Sequence, residues 1–343
     1  MLHRTFLALT LASACCSFLS TASAQPASAD ARPPVQPKEV RAWLMRIHDA
    51  ASHSNFQGTF VVSAGGAVSS ARIAHFCDGS NQFERIESLD GQARNVFRYN
   101  DVVHTVWPQA RVALVEQRDL LNSFPALLQV GDDRIAEFYD LRPLGAERVA
   151  GHEANVLLLR PRDGNRFGYR LWADKGTGLL LRADVLGERG DVLETSAFSD
   201  VAIGVRSQPE TILQPMKKLD GYRIVRPSLT PTKLEAEGWV MRQTVPGFRE
   251  VSCVKRPLEN AADTDQGGEP THQALQTIYS DGLTYVSVFI EPFNPQRHTR
   301  AMLTSIGATQ TLMRRQGDWW VTVIGDVPTV TLRAFANGLE RTK

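Results

Sequence analysis

The sequence predicts an α+β fold: a half-open antiparallel β-barrel over helices in the N-terminal part, followed by a smaller α/β C-terminal domain. Three observations predict it. Segments with two-residue hydrophobic alternation follow one another, with turn signals between them, from residue 56 to residue 203. One amphipathic helix precedes them. A proline-rich break over residues 207–231 then separates them from a shorter, mixed pattern.

The first helix starts at Lys38, just after a proline, and carries Val40, Trp43, Leu44, Ile47 and Ala51 on one face, so it is expected to pack on a sheet. Strand-like segments follow at 56–63, 68–77, 82–88, 95–100, 102–107 and 112–117, with hairpin signals at Gly65-Gly66, Asp90-Gly91 and Asn100-Asp101. Such a meander makes neighbours in sequence neighbours in space. Between 119 and 139 the alternation lapses, and Leu120, Leu121, Phe124, Leu127 and Leu128 recur at helical spacing, which predicts one or two short helices. Strands resume at 153–159, 166–173, 179–186 and 192–203. A strongly curved sheet of this kind, half closed on itself, can hold an apolar cavity.

Beyond the break, 239–244 and 248–255 read as a hairpin, 259–270 as a polar loop, and 273–280 with 283–291 as a second hairpin around Asp281-Gly282. A helix is expected over 296–305, a third hairpin over 309–315 and 319–324, and a closing helix over 330–339 with Pro328 and Thr329 in or before its first turn. Trp319 and Trp320 are adjacent on a strand, so one is expected to be buried and the other partly exposed.

Arg4, an apolar run from Thr5 to Leu19 and the small-residue site Ala22-Ser23-Ala24 read as a signal peptide over residues 1–24, followed by a flexible Ala/Pro-rich leader over 25–37. Export to the periplasm is therefore expected, with domains at 38–206 and 232–343 joined by the 207–231 linker. The whole chain has 38 basic and 37 acidic residues, and removal of Arg4 leaves the two balanced. That neutrality argues against a nucleic-acid partner, which requires a clustered basic face. Two cysteines remain after the leader, Cys77 and Cys253, and two independent thiols are a simpler reading than a disulfide, since they lie in strand patterns of different domains.

Catalytic patterns are weak. His48 and His53 are five apart and do not share a helix face. Gly151-His152-Glu153 starts like a zinc-protease motif but lacks the second histidine and falls at a strand entrance. No Gly-x-Ser-x-Gly elbow occurs, and Gly176-Thr177-Gly178 joins two strand patterns as a turn. Asp132-Asp133, and Asp163 with Asp174, read as solvated loop carboxylates. A binding protein with no metal and no cofactor is the expectation, rather than an enzyme.

Several strings add to this. Trp43-Leu44-Met45-Arg46-Ile47, Asn55-Phe56-Gln57-Gly58-Thr59-Phe60-Val61 and Glu84-Arg85-Ile86-Glu87-Ser88-Leu89-Asp90-Gly91 resemble the opening of the RseB/MucB family of periplasmic regulators of the envelope-stress sigma factor. The resemblance continues through Tyr169-Arg170-Leu171-Trp172, Thr177-Gly178-Leu179-Leu180-Leu181-Arg182, Pro246-Gly247-Phe248, Tyr279-Ser280-Asp281-Gly282-Leu283 and Val286-Ser287-Val288-Phe289-Ile290-Glu291. It implies an N-terminal domain similar to the lipoprotein carriers LolA and LolB, and a small C-terminal domain that binds an anti-sigma factor. It further implies that the chain binds the periplasmic segment of an RseA/MucA-like anti-sigma factor, shields it from site-1 proteolysis, and releases it when lipid or a lipopolysaccharide fragment binds.

For the lipid cavity, expected under the N-terminal sheet, the candidates are Phe60, Phe97, Trp107, Leu121, Phe124 and Leu128, all large apolar residues of that domain. For partner docking, on the C-terminal domain and linker, they are Arg223, Arg226, Trp239, Arg242, Phe248 and Trp319, because Trp and Arg are enriched at interface hot spots. A homo-oligomer is left open. The alternative reading is a periplasmic carrier of lipid or lipoproteins of the LolA/LolB type.

Overall fold

A computed structural model of the chain describes residues 37–117, 135–257 and 273–342. The signal peptide and leader, the helical expectation over 119–134 with Leu121, Phe124, Leu128 and Asp132-Asp133, and the 259–270 loop lie outside the described residues.

Helix α1 (Pro37–His53) leads into a twelve-stranded sheet. Its first run is β1 (Phe56–Ala64), β2 (Ala67–Asp78), β3 (Asn81–Ser88), β4 (Asn95–Tyr99), β5 (Val102–Trp107) and β6 (Val112–Gln117). After the short α2 (Ile135–Phe138) the second run is β7 (Tyr139–Val149), β8 (His152–Pro161), β9 (Gly168–Asp174), β10 (Leu180–Leu186) and β11 (Val192–Ile203). Antiparallel pairing of β1 with β11 joins the two meanders, and β7 ends the sheet without meeting the far side. The half-open sheet expected from the alternation is thus present.

Helix α1 buries Val40, Leu44 and Ile47 against Leu141, Leu157, Leu159, Leu171 and Leu180, and its Ala50 joins Phe56, Phe60 and Phe198. The stripe is the one the 3.6-residue period marks, with Trp43 at its half-buried margin. The opposite sheet face, bearing Ala74, Phe76, Phe83 and Phe97, is covered by α3 (Glu210–Lys217) through Ile212.

That helix corrects the linker expectation. Within residues 207–231 lie α3 and also β12 (Arg223–Val225), which pairs in parallel with β6 as the twelfth strand. Prolines mark this stretch as a break between domains, yet Pro209 stands at the N-cap, where a missing N–H is harmless, and Pro215 falls in the last turn. Strand β7 was also missed, because Pro143 and a register shift before Gly145 interrupt its alternation at the sheet edge.

The second sheet has seven strands in the order β13 (Thr230–Pro231), β15 (Arg249–Pro257), β16 (Gln273–Ser280), β17 (Tyr285–Pro292), β20 (Trp319–Gly325), β19 (Thr309–Gln316) and β18 (Met302–Ile306). One face packs on α4 (Thr329–Gly338), where Leu332, Phe335 and Ala336 meet Val286, Val288, Val321 and Val323. Two expectations fail here. Strand β14 (Trp239–Met241) pairs with β21 (Leu339–Arg341) instead of β15, the chain between β14 and β15 turning at Gly247, φ +86°. The helix expected over 296–305 is a single turn closed by Asn294, whose carbonyl accepts the Arg297 and His298 N–H groups, and then β18. Met302 to Ile306 have no apolar helix face to bury and instead complete a hairpin with β19.

Both thiols are free: Cys77 donates to Ser52 O at 2.9 Å, and Cys253 is buried in the second sheet. Among the described residues no helix is long and apolar enough to cross a membrane.

Candidate functional site

The tight turn between β16 and β17 is built from its own polar groups. Asp281 Oδ1 accepts the backbone N–H of Leu283 and of Thr284, each at 2.9 Å, Ser280 Oγ donates to Thr284 O at 2.9 Å, and Gly282 adopts φ +94°. This geometry projects Leu283, 2 % exposed, out of the second sheet into the core of the first, beside Leu44, Tyr169, Leu171 and Leu180.

The other oxygen of Asp281 fastens the same turn. Oδ2 accepts Arg166 Nε at 2.7 Å and the Tyr139 hydroxyl at 3.1 Å, and the Arg166 and Asp281 side chains are both fully buried. Arg166 also donates to Asp163 and to Pro246 O, and its guanidinium lies 4.3 Å from the Phe138 ring centroid and 5.0 Å from that of Phe248. A planar donor fork packed on two rings suits arginine and not lysine. Burial, with the Asp281 charge adding to it, holds the Tyr139 hydroxyl well above the usual phenol range, so it acts as a donor. Thr331 Oγ1, in α4, adds a bond to Asn165 O at 2.8 Å. Residues of both sheets thus form one satisfied buried polar network.

Next to this latch is a cavity of about 370 Å³. The first sheet lines it with Phe60, Tyr169, Leu180, Ala183, Val185 and Glu194, on the α1 side, and the second with Leu283, Tyr285, Ile324 and Asp326. Its wall surface is mostly apolar, with polar groups such as Glu194, Ser196, Thr309 and Asp326 among the lining, the composition of a small-molecule site. Burial raises the Glu194 carboxyl above its ordinary range and Asp326 raises it further, while hydrogen bonds from the Ala308 N–H and Ser196 oppose the shift. Arg182 also lines the cavity, but its guanidinium is committed to Asp184 at 2.9 and 3.0 Å and lies over Trp172.

Of the residues expected to line a cavity, Phe60 does so. Phe97 is buried on the opposite face under α3, one strand position out of phase with the cavity side, and Trp107 is half-buried at the end of β5, away from it. Among the expected docking residues, Trp239 (1 % exposed) and Phe248 (4 %) belong to the core of the second sheet, which corrects their assignment to an exposed surface. Arg223 and Arg226 are exposed on and after β12, and Arg242 is exposed with Glu340 at 3.1 Å. Trp319 is half-buried edge-on against Trp239, while Trp320 is buried and stacks on His298 at 4.8 Å, so the pair does face opposite ways. Asp163 and Asp174 are not idle loop carboxylates: the first holds Arg166, and the second accepts the Thr177 N–H at 2.7 Å. Among the described residues no group of three or more His, Cys, Asp or Glu side chains is placed to hold a metal ion.

Farther along the first sheet, His75, Glu84 and Arg98 form a buried cross-strand row. Burial pushes the Glu84 carboxyl from 4.5 up to about 7, against the opposing pull of Arg98 at 3.9 Å. A carboxyl whose folded pKa is raised contributes stability that is complete below its unfolded value and is lost as pH rises through the folded one. Glu84 therefore contributes a falling slope to the urea midpoint between pH 4.5 and 7, which Glu84→Gln is expected to remove, while His75 in the same row, held below its ordinary range by burial, contributes the opposite slope. An unchanged slope in the variant would remove Glu84 as its source.

Comparison with known proteins bears on the same two halves. The model described as MucB/RseB N-terminal domain matches residues 39–216, and that described as MucB/RseB C-terminal domain matches residues 233–340. The chain is 30% identical over 312 residues to the sigma factor AlgU regulatory protein MucB of Pseudomonas aeruginosa, covering 89% of this chain and 92% of that one. It is 24% identical over 344 residues to the sigma-E factor regulatory protein RseB of Escherichia coli, covering 99% and 98%. A crystal structure of MucB in complex with MucA(peri) superposes with a TM-score of 0.64 at 26% identity, over 88% of this chain and 99% of that one. A crystal structure of MucB gives 0.62 at 25% identity, over 89% and 98%. Matched in both halves and in the same order, the chain belongs to the MucB/RseB family.

Proposed function

We propose that this chain acts in the periplasm, binds the periplasmic segment of a MucA/RseA-like anti-sigma factor, shields it from site-1 proteolysis, and releases it when lipid or a lipopolysaccharide fragment enters the cavity beside Leu283. One observation carries the reading: the turn that fixes the second sheet on the first also forms a wall of the apolar cavity. A ligand that fills this space competes with the junction. It shifts the arrangement by its differential affinity for the two states and by nothing else. The names of the relatives, regulatory proteins of sigma factors, support the partner class.

The test is proteolysis of the purified periplasmic segment by the site-1 protease, alone, with saturating chain, and with lipopolysaccharide added. Protection that lipopolysaccharide reverses is the expected result. Equal cutting with and without the chain would end the proposal. A lipid or lipoprotein carrier is the second reading, favoured by the apolar cavity itself; recovery of acylated lipoproteins from envelope extract, in place of a single-span anti-sigma factor, would select it.

A further inference from the structure

We propose that the outer edge of β18 takes up an extended segment of the anti-sigma partner as an added strand of the second sheet; this rests on the partner reading above. Strand β18 is the last of its sheet, hydrogen-bonded to β19 on one side and to no strand among the described residues on the other. All five of its residues are exposed, Ile306 at 68 % and Leu303 at 44 %.

An open edge with free N–H and C=O groups invites pairing, and proteins usually guard it. Among the described residues, the other three edges of the two large sheets are guarded. Strand β7 carries Pro143, a bulge and the charges of Arg142, Glu147 and Arg148; β12 is three residues long and begins with Arg223; β13 is two residues long and ends in Pro231. Strand β18 reads Met-Leu-Thr-Ser-Ile, without charge, proline or register shift. An edge left open in this way fits recognition by strand addition, in which backbone bonds supply affinity and alternate side chains supply selectivity.

The side chains define what fits. Met302, Thr304 and Ile306 pair with Met313, Thr311 and Thr309, and so continue the sheet face that also bears Phe289 and Ile324, the face opposite α4. An incoming strand finds apolar neighbours there. Arg300 is exposed just before the strand, and Arg315, whose side chain lies 3.9 Å from Asp318, is two positions past Met313 in the register. The occupant is therefore an extended peptide with alternating apolar residues and an acidic residue at the end beside Arg300.

The same strand ends at the cavity. Ile306 leads into Gly307 (φ +58°), where an added Cβ would come within 2.7 Å of Ala64 Cβ and 3.0 Å of Glu194 Oε2. The following Ala308 N–H bonds to Glu194, which lines the cavity. The turn that sets the strand is therefore shared with the cavity wall.

Hydrogen exchange on the full chain, with and without the purified periplasmic segment of the host's MucA/RseA-type anti-sigma factor, tests the proposal. Amides of 302–306 are expected to slow on binding, and Leu303→Lys/Ile306→Lys is expected to weaken binding at least about tenfold, with thermal unfolding unchanged because both positions are exposed. Binding by the wild type without protection of 302–306, and with equal affinity in the variant, would overturn the edge assignment and leave the partner reading intact. Absence of wild-type binding would overturn both. Protection that appears without the segment and grows with chain concentration would assign the edge to a second copy and overturn the proposal.

Discussion

Arg166→Ala is expected to lower the free energy of unfolding by about 3–5 kcal/mol, because removing one member of a fully buried ion pair leaves the other charged and unsolvated. The stranded group is Asp281, whose Oδ2 would keep only the Tyr139 hydroxyl as partner. Lost packing of the guanidinium on Phe138 and Phe248 adds to the effect. Substituting both charges, as Arg166→Met/Asp281→Asn, is expected to recover part of the loss, since a buried pair is worth little against an apolar replacement of similar volume. Urea unfolding of wild type, both single variants and the double variant gives the coupling directly. A loss below about 1 kcal/mol for Arg166→Ala would mean the pair is solvated in solution and the junction is not latched there.

Leu283→Ala should act on stability and ligand binding in opposite directions. Truncating a buried leucine costs about 2–5 kcal/mol, and here the void opens beside an existing cavity of about 370 Å³. The variant is therefore expected to unfold at lower urea and to bind a fluorescent long-chain acyl probe more tightly than wild type, by about tenfold if the removed bulk is replaced by two buried methylenes of the ligand. Partner protection in the proteolysis assay should be reversed at correspondingly lower lipid. Unchanged acyl affinity in a folded variant would show that ligand does not enter beside Leu283.

The parts of this molecule that were legible in its sequence are those set by local periodicity. The stripe from Val40 to Ala51, and β1 with Phe56 and Phe60, report their elements through a buried face, while β5, β6 and β11 are bounded closely by the turn signals beside them. Strand β7 was illegible because Pro143 and the shift at Gly145 break the period, and β18 because a fully exposed strand has no buried face to report. The site was less legible than the fold. Asp281-Gly282 signals a turn, and nothing local distinguishes it from Asp90-Gly91 on the surface; its partner Arg166 is 115 residues away and reads as an ordinary arginine at a strand entrance. Trp239 and Phe248 were misassigned for the converse reason. Aromatic residues near arginines have the same pattern in a core as at an interface, and only the pairing of β14 with the C-terminal β21 places Trp239 inside.

The incorporation of β12 into the first sheet also limits how the molecule can open. Its pairing with Val112, Ala113 and Leu114 fixes one end of the connection, and Thr230 and Pro231 are fixed on β15, so only Arg226, Pro227, Ser228 and Leu229 are free to act as a leash. Four residues fully extended reach roughly 14 Å. If the latch at Asp281 lets go, the departing half stays within that radius, and its return is a first-order event at an effective concentration in the millimolar range. Reclosure of the junction would then be quick and would not depend on how much of the protein is present.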